Sequence, residues 1–522
     1  MTLSLLRRTA ARTLLRVLEA RDRRRAGTAP PPDDHEVRIL LLHANGMGGT
    51  IRTVFNLAGY LARTHDVEIV SVVREREEPF FPVPPGVRIR YLDDRLPRRR
   101  GLLSRFPSLL VPKDEAAFHW FTLRTDLKLV RYIRSRRGGV LIGTRPGLNL
   151  VAARFAPPEV VTVAQEHGNL AGHQPGVRGQ IMRRYGRLDA HVTLTETDLR
   201  AYERAYGKAG RGTPRVLARI PNAVTRLDGG VSPLTATTAV TVGRLTHVKG
   251  YDLLIRAWAH VAERHPDWTL RIYGGGPRRE KLQASIDKRG LTDTVVLEGP
   301  ADDVGGALAA ASMFVLSSRR EGMPMVVLEA MSKGLPVVSY DCPTGPSELI
   351  THGLDGLLVK PEKIHALADA ICSVIEDEDL RRKLGRRAQE TAAAYDIEVI
   401  GARWEALLDR LVRARLDGGA VPPPDESDGA ADEAADRAAN GAADAERQVT
   451  DVTPDTSGAD GSGGTASALP GPSAATGDTA TDTTADTTAD TARADTATRG
   501  GDAGGGPRAR AVTVPFGGLA RR

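Results

Sequence analysis

Short apolar runs and longer amphipathic stretches alternate along the chain from residue 37 to about residue 416. The first run, 37–42, is apolar at nearly every position, as in a strand that is buried on both faces of a sheet. Helices are predicted after this run to about residue 64, near 115–136, and at 197–206 and 251–265. Further strands are predicted at 67–73, 87–92, 140–142, 160–164, 190–194, 215–220, 239–242, 269–273 and 295–297. Strands interleaved with helices predict an α/β fold with parallel, doubly wound sheets.

A segment that contains Gly and Pro, residues 228–233, divides this alternating pattern into two parts. We interpret it as a linker, so that residues 36–230 and residues 231–395 each form a Rossmann-like domain. Residues 396–418 follow as a further amphipathic helix. Its apolar side is predicted to face a core through Val399, Trp404, Leu407, Leu408, Leu411 and Val412.

The two ends of the chain differ in composition from this central part. In residues 1–35, leucines recur at helical spacing among arginines, which predicts either a basic amphipathic helix on an anionic membrane or a disordered extension. Residues 419–522 are rich in Ala, Asp, Gly and Thr, with 17 acidic residues and 8 arginines from residue 421 onward. Such a segment has too few apolar side chains to offset the entropy of ordering, so a disordered acidic tail is predicted.

Charged residues occupy the loops that follow predicted strands of the second domain. Arg244 and Lys249 lie five positions apart after strand 239–242, where two cations can hold a diphosphate at the C-terminal edge of a parallel sheet. Glu321 lies in a Glu-Gly-Met-Pro turn, and Glu329 lies in the helix that follows. A helix N-terminus binds anions, and a nearby carboxylate accepts hydrogen bonds from sugar hydroxyls. The two glutamates therefore suit a ligand that carries both phosphate and vicinal hydroxyls.

The order of these motifs resembles that of one enzyme family. Gly-Arg-Leu at 243–245 is followed by Tyr-Gly-Gly-Gly-Pro at 273–277, the two glutamates, and Asp-Cys-Pro-Thr-Gly-Pro at 341–346. Over residues 36–415 the chain is similar to the family 4 retaining glycosyltransferases, which have the GT-B fold. The resemblance implies two Rossmann-like domains facing across a cleft, with helix 396–418 crossing back onto the first domain. It also implies transfer of a sugar from a UDP or GDP type nucleotide-sugar, with an α-linked product.

The resemblance also assigns roles to individual residues. Arg244 and Lys249 are expected to stabilise the donor diphosphate, and Glu329 is expected to bind the ribose hydroxyls. Glu321 is expected to hold the transferred sugar, and His167, after strand 160–164, matches the active-site histidine of the family. The role of the neighbouring Glu166 is left open. The expected catalytic residues are His167, Arg244, Lys249 and Glu321, the donor-binding residues are Gly243, Arg244, Lys249, Gly274, Gly275, Glu298, Gly322, Met323 and Glu329, and the phosphate loop contains Gly48 and Gly49.

The composition of the chain limits the cellular compartments and the kinds of partner that we expect. Two cysteines argue against a disulfide framework and fit a reducing compartment, so we predict a cytoplasmic protein and leave peripheral contact with the inner face of an anionic membrane open. A net charge of +7 favours anionic partners such as nucleotide-sugars and lipid-linked acceptors. Because only 4% of residues are aromatic, nucleic-acid binding is not expected. No Asp-x-Asp motif follows a strand in the predicted cleft, so we expect no metal and no cofactor.

Two other classes of protein remain open at this level. A nucleotide-sugar epimerase of GT-B fold would bind the same donor, but it would need acid and base residues that the sequence does not identify. A non-catalytic, membrane-associated protein that binds sugar nucleotides would be favoured if Lys249 or the two glutamates were missing, and all three are present. The expected acceptor is a cell-envelope glycan, a polyol-phosphate polymer or a lipid-linked sugar, because residues 341–346 resemble those of enzymes with such acceptors. The sequence does not determine the base, the sugar or the oligomeric state.

Overall fold

The computed structural model describes residues 35–96, 101–210, 212–417 and 421. Apart from residues 35 and 421, the predicted N-terminal extension and the predicted acidic tail lie outside these ranges. Within them, the chain forms two parallel β-sheets with helices on both faces, which confirms the predicted fold class. Among the described residues, no helix has both the length and the apolar content that a membrane span requires.

The first sheet has seven strands in the order β3-β2-β1-β4-β5-β6-β7, and every neighbouring pair is parallel. Residues 37–42 of the central strand are all buried, as their apolar character predicts. The strands are β1 (Glu36–His43), β2 (Asp66–Arg74), β3 (Arg88–Asp94), β4 (Val140–Gly143), β5 (Val161–Gln165), β6 (Ala190–Thr193) and β7 (Val216–Arg219). The helices are α1 (Gly49–Leu61), α2 (Leu123–Arg134), α3 (Pro146–Phe155), α4 (Pro175–Arg184) and α5 (Glu196–Ala209).

The second sheet has six parallel strands in the order β10-β9-β8-β11-β12-β13. Its strand order reverses between β8 and β11, as the order of the first sheet does between β1 and β4. The strands are β8 (Thr238–Val242), β9 (Thr269–Tyr273), β10 (Val295–Gly299), β11 (Met313–Leu316), β12 (Val337–Tyr340) and β13 (Gly356–Val359). The helices are α6 (Tyr251–Arg264), α7 (Arg279–Lys288), α8 (Val304–Ala309), α9 (Met325–Ser332), α10 (Pro346–Leu349), α11 (Ile364–Glu376) and α12 (Glu378–Ala393). Ligands of such sheets bind at the carboxyl ends of strands where the order reverses.

A last helix, α13 (Ile397–Leu416), returns to the first sheet. Trp404 is 1% exposed and packs in the same apolar cluster as Val37 and Ile39 of β1. Leu407, Leu408 and Leu411 are also buried there. The prediction for Val399 is wrong, because this residue is 38% exposed. The next residue, Ile400, is 2% exposed, so the apolar side of α13 already faces the core in this turn and Val399 lies outside that side.

In the first of the two predicted domains, three helices differ from the sequence predictions. The helix predicted near 115–136 begins only at Leu123, because the Thr122 side chain accepts a hydrogen bond from the backbone N–H of Thr125 and caps it there. Helices α3 and α4 were not predicted. Each begins with a proline, Pro146 or Pro175, at a first-turn position where the missing N–H costs nothing.

Candidate functional site

The candidate site begins in the loop between β8 and α6, residues 243–250. Gly250 adopts φ +65°, and a Cβ atom there would lie 2.0 Å from the backbone oxygen of Ser317. Gly274, after β9, adopts φ +148°, and its Cβ would lie 1.9 Å from the backbone oxygen of Gly243. Only glycine fits such positions without displacing backbone atoms. Loops after β8, β9 and β11 are therefore packed together at the carboxyl edge of the second sheet.

An ion pair joins two of these loops. The Lys249 Nζ atom lies 2.7 Å from Glu321 Oε1, and the same oxygen accepts a hydrogen bond of 2.6 Å from Ser318 Oγ. The side chains of Lys249 and Glu321 are 25% and 11% exposed. A partly buried pair of this kind is screened less by salt than a surface pair. The structure thus brings together two predicted catalytic residues and fixes the carboxylate with a further hydroxyl.

The second predicted glutamate, Glu329, lies in α9 and is 7% exposed. Its Oε1 atom lies 3.3 Å from Nη1 of Arg52. Arg52 belongs to α1, in the half of the molecule that contains the first sheet. Burial raises the pKa of Glu329, and the charge of Arg52 opposes that shift. A buried carboxylate with one long ion pair retains unused acceptor capacity. It can therefore accept hydrogen bonds from a ligand in the cleft.

A second contact between the two halves of the molecule, which contain the first and the second sheet, involves Asn169 in the loop after β5. Its Nδ2 atom donates a hydrogen bond of 3.0 Å to the backbone oxygen of Glu321, and it also contacts Thr344 Oγ1. A Cβ atom on Gly322 would lie 3.4 Å from Asn169 Oδ1. The turn that carries Glu321 thus rests on the first half of the molecule. Sequence reasoning missed Asn169 as a site residue, and its place directly after a strand was the available signal.

His167 lies two residues after the last residue of β5 and two residues before Asn169. Its Nε2 atom is buried and has no hydrogen-bond partner among the described residues. Burial lowers the pKa of His167 to about 4, with the charge of Glu166 opposing the shift. The imidazole is therefore neutral near pH 7, and one buried ring nitrogen is available to a ligand.

Glu166 is buried, and its carboxylate contacts side chains that hold neighbouring elements together. Its carboxylate accepts hydrogen bonds from Asn149 Nδ2 at 2.9 Å and from Tyr185 Oη, and it lies 3.4 Å from His173 Nε2. Burial by itself would raise the pKa of Glu166, but hydrogen bonding and charge from His173 outweigh it, so the pKa is lowered. These contacts answer the question that the sequence left open. Glu166 ties α3 and α4 to β5 behind His167.

Of the remaining predicted residues, some are exposed and one has its side chain engaged in another ion pair. Arg244 is exposed in the loop after β8, and Gly48 and Gly49 are exposed at the N-terminus of α1, where a Cβ on either would meet nothing within 4 Å. The Glu298 carboxylate instead accepts a hydrogen bond of 2.8 Å from Arg271 Nη1 on the neighbouring strand. The structure therefore does not join this side chain to the other site residues, because the ion pair across strands occupies it.

The backbones of three more predicted residues lie within this group of loops. Gly243 donates its N–H to Tyr273, and Gly275 accepts from the N–H of Leu245 at 2.9 Å. Met323 is 9% exposed, and its Sδ atom accepts a hydrogen bond of 3.4 Å from the Asn222 N–H. The Met323 side chain therefore packs against the half of the molecule that contains the first sheet. Its backbone belongs to the same Glu-Gly-Met-Pro turn as Glu321.

A known protein family matches the part of the chain that contains the second sheet. Residues 229–391 match the family model described as glycosyl transferases group 1. The second half of the molecule is a glycosyl transferases group 1 domain. The matched range includes the Lys249–Glu321 pair and Glu329, whereas His167 and Asn169 lie outside it. The fold as a whole is GT-B.

Individual relatives and solved structures extend the likeness beyond this domain. The chain is 39% identical over 399 residues to an exopolysaccharide phosphotransferase of Streptomyces coelicolor, an alignment that covers 73% of this chain but only 41% of that protein. It is 26% identical to an uncharacterized glycosyltransferase of Haemophilus influenzae, covering 72% of this chain and 99% of the relative. A TarM variant of S. aureus, solved with UDP and α-GlcNAc-glycerol, has a TM-score of 0.58 at 15% identity, with 72% and 100% coverage.

Proposed function

We propose that the chain is a retaining, metal-independent hexosyltransferase of family 4. It moves a sugar from a nucleotide-sugar, of UDP or GDP type, to a cell-envelope glycan, a polyol-phosphate polymer or a lipid-linked acceptor, and the product is α-linked. The observation that carries this proposal is the Lys249–Glu321 ion pair at the carboxyl edge of the second sheet. It combines a cation for phosphate with a carboxylate for sugar hydroxyls in one partly buried unit.

The leaving diphosphate gains negative charge as the glycosidic bond breaks. In this proposal Lys249 stabilises that charge, and the exposed Arg244 approaches the diphosphate from the same loop. Prearranged charges in a partly desolvated site can lower the barrier without reorganisation during the reaction. Positive side chains here supply the charge stabilisation that metal-dependent enzymes obtain from an ion.

The donor's other groups fit the carboxylates nearby. Glu329 accepts hydrogen bonds from the ribose hydroxyls, because its buried carboxylate is paired, within the part of the chain that the structure describes, with Arg52 alone, at 3.3 Å. Glu321, with the backbone N–H groups of Gly322 and Met323, holds the transferred sugar and the distal phosphate. The neutral His167 donates a hydrogen bond to the sugar from the opposite side of the cleft, and Gly48 and Gly49 border the acceptor.

Names of relatives support the choice of acceptor class. A Bacillus subtilis relative, 26% identical over 58% of this chain and 48% of its own length, is a poly(glycerol-phosphate) alpha-glucosyltransferase. An Erwinia amylovora relative, 24% identical over 72% of this chain and all of its own length, is an amylovoran biosynthesis glycosyltransferase. A polymer acceptor from the cell envelope is consistent with both. We place the enzyme in the cytoplasm, with residues 1–34 as a peripheral contact to anionic membranes.

The proposal is tested with the full-length chain. UDP-, GDP- and ADP-hexoses are offered with poly(glycerol phosphate) or with a neutral exopolysaccharide, with and without a chelator, and the anomeric configuration of the product is read by NMR. We expect one donor class to give an α-linked product that the chelator does not reduce. A β-linked product would contradict retention, and loss of turnover with the chelator would contradict metal independence. Sugar isomerisation without any acceptor would indicate an epimerase instead.

Membrane contact is tested separately. Co-sedimentation of the full-length chain with anionic liposomes is compared with that of a chain lacking residues 1–34. We expect the shortened chain to remain in the supernatant, because the arginines of this segment supply the attraction to lipid phosphates. Equal sedimentation of both chains would show that this segment does not anchor the protein.

A further inference from the structure

Helices α6 and α11 carry a row of polar side chains where they meet. The rings of His260 and His365 have centroids 4.3 Å apart, and one turn later Arg264 Nη1 lies 3.3 Å from Asp369 Oδ1. His265 then follows the last residue of α6 and contacts Glu376, at the end of α11. These contacts advance along both helices in the same direction, so the two helices run parallel and His265 and Glu376 lie at the same end.

At this end three side chains of metal-binding types converge. The His265 Nε2 atom lies 2.9 Å from Glu376 Oε1. Cys372, one turn before Glu376 on α11, is a free cysteine with no exposed surface. One nitrogen, one sulfur and one oxygen atom of these residues all lie within 4.8 Å of one another, and theirs is the one such group of three found among the described residues.

We propose that His265, Cys372 and Glu376 form a binding site for a divalent transition-metal ion of the zinc class. Imidazole nitrogen, thiolate sulfur and carboxylate oxygen are the three ligand types that zinc takes in proteins, at distances of about 2.0–2.3 Å. Tetrahedral coordination at those distances places ligand atoms roughly 3.3–3.8 Å apart. A separation near the 4.8 Å limit therefore has to shorten by about 1 Å, and the 2.9 Å contact between His265 and Glu376 has to lengthen slightly. Glu376 is half-exposed and can make that movement, and water completes the coordination.

The charges around the group suit a bound cation. Glu376 and Asp369 are negative, and the Cys372 thiolate would add a further negative charge. Arg264 is positive and would repel a bound cation, since its Nη2 atom lies 2.7 Å from Glu376 Oε1. The carboxylate has a second oxygen for the metal, so Arg264 can remain and orient the carboxylate from outside, as hydrogen-bonded partners of metal ligands do.

The site lies far from the candidate catalytic cleft. Helix α6 starts at Tyr251, beside the cleft loops, and His265 follows its other end. Fourteen helical residues span about 21 Å. A metal at this end would therefore not reach the donor. Its effect would be to join the ends of α6 and α11 and so to stabilise the second half of the molecule, which leaves the proposed metal-independent transfer unaffected.

Cobalt(II) tests this inference, because a thiolate ligand gives it a charge-transfer absorption band in the near ultraviolet. Chelator-treated full-length chain is titrated with cobalt(II), and thermal unfolding is followed with zinc. The chain has only two cysteines, so Cys372→Ala has a matched control in Cys342→Ala. We expect the band to saturate at one equivalent in the wild type and in Cys342→Ala, and to be absent in Cys372→Ala.

A second variant covers the case in which removing a buried thiol disturbs folding. His265→Gln changes a partly exposed residue, and we expect it to weaken cobalt binding at least tenfold and to abolish the rise in Tm with zinc. A band that persists in Cys372→Ala, or that disappears in Cys342→Ala, would overturn the assignment. So would absence of a band in the wild type, or loss of binding in His365→Gln with binding retained in His265→Gln. Donor turnover is measured in parallel for Cys372→Ala and His265→Gln, and we expect it to stay unchanged in both. Failure of the metal site and failure of the proposed function are thereby distinguished.

Discussion

Lys249 and Glu321 are 72 residues apart in sequence, yet their side chains meet at 2.7 Å between the loops that follow β8 and β11. Lys249→Ala removes the cation and leaves Glu321 without its charged partner. We expect donor turnover to fall by about 10²–10³-fold, as when one preorganised electrostatic contact to a developing charge is removed. Steady-state kinetics measures this, with Lys288→Ala, at the exposed end of α7, as the matched control. Equal loss in both variants, or no loss in Lys249→Ala, would refute the assignment.

Glu329→Gln tests the ribose contact. The amide retains one acceptor oxygen but loses the charge, and a hydrogen bond to a charged group contributes about 1.5–3 kcal/mol. We expect KM for the donor to rise about 10- to 100-fold while kcat changes little, because ribose binding is the same in the ground state and the transition state. A large fall in kcat at unchanged KM would place Glu329 at the reacting centre instead.

Asn169→Ala tests the contact between the two halves of the cleft. The change removes the 3.0 Å hydrogen bond to the backbone oxygen of Glu321 and the contact with Thr344. We expect kcat to fall about tenfold, since two neutral hydrogen bonds contribute about 0.5–1.5 kcal/mol each. Asn56→Ala, which removes a 3.1 Å hydrogen bond to Thr225 away from the Glu321 turn, is the matched control. Turnover that falls equally in both would indicate a general loss of stability.

The pKa of His167 predicts a pH dependence of stability. Its value is lowered from 6.5 to about 4 by burial, so the unfolded chain takes up the proton first as the pH falls. The contribution of this histidine is complete above pH 6.5 and is lost as the pH falls toward about 4, by at most about 1.4 kcal/mol for each pH unit. Urea unfolding of the wild type and His167→Gln at about pH 7 and about pH 5 measures it. We expect a smaller decrease in the variant, and equal decreases would contradict the lowered pKa.

Trp404 and Val399 lie in the same helix, α13, and differ in burial. Trp404→Ala removes a side chain that is 1% exposed, and we expect the free energy of unfolding to fall by about 3–5 kcal/mol. Val399→Ala changes a residue that is 38% exposed, and we expect a change within about 0.5 kcal/mol. Denaturant unfolding compares the two. Similar losses would show that α13 does not dock on the first sheet through one apolar side.

Much of the fold and part of the site could be predicted from the sequence. Apolar runs such as 37–42 predict strands well, because burial on both faces requires an apolar side chain at nearly every position. Lys249 and Glu321 could be expected near one another, because both follow strands of one parallel sheet and such strands end at one edge. The amphipathic pattern of residues 396–418 likewise predicted the buried Trp404.

The rest depends on contacts between distant segments. Nothing in the local sequence relates Arg52 to Glu329, 277 positions later, because that ion pair exists only when the two halves meet. Asn169 lies in the loop after β5, but its hydrogen bond to the turn of Glu321, 152 positions later, likewise forms only in the folded chain. Glu298 was assigned from its place after an apolar run, but an exposed ion pair with Arg271 on the next strand engages its carboxylate. Strand position alone does not tell which partner a side chain takes.

In the proposed function, the loops around Lys249 and Glu321 bind a nucleotide-sugar. The most direct measurement is the thermal unfolding of the full-length chain with UDP-, GDP- and ADP-sugars, for the wild type and for Lys249→Ala. We expect one nucleotide class to raise Tm of the wild type and this rise to be lost in the variant. If no nucleotide-sugar raises Tm, or if Lys249→Ala is stabilised as much as the wild type, the claim is wrong.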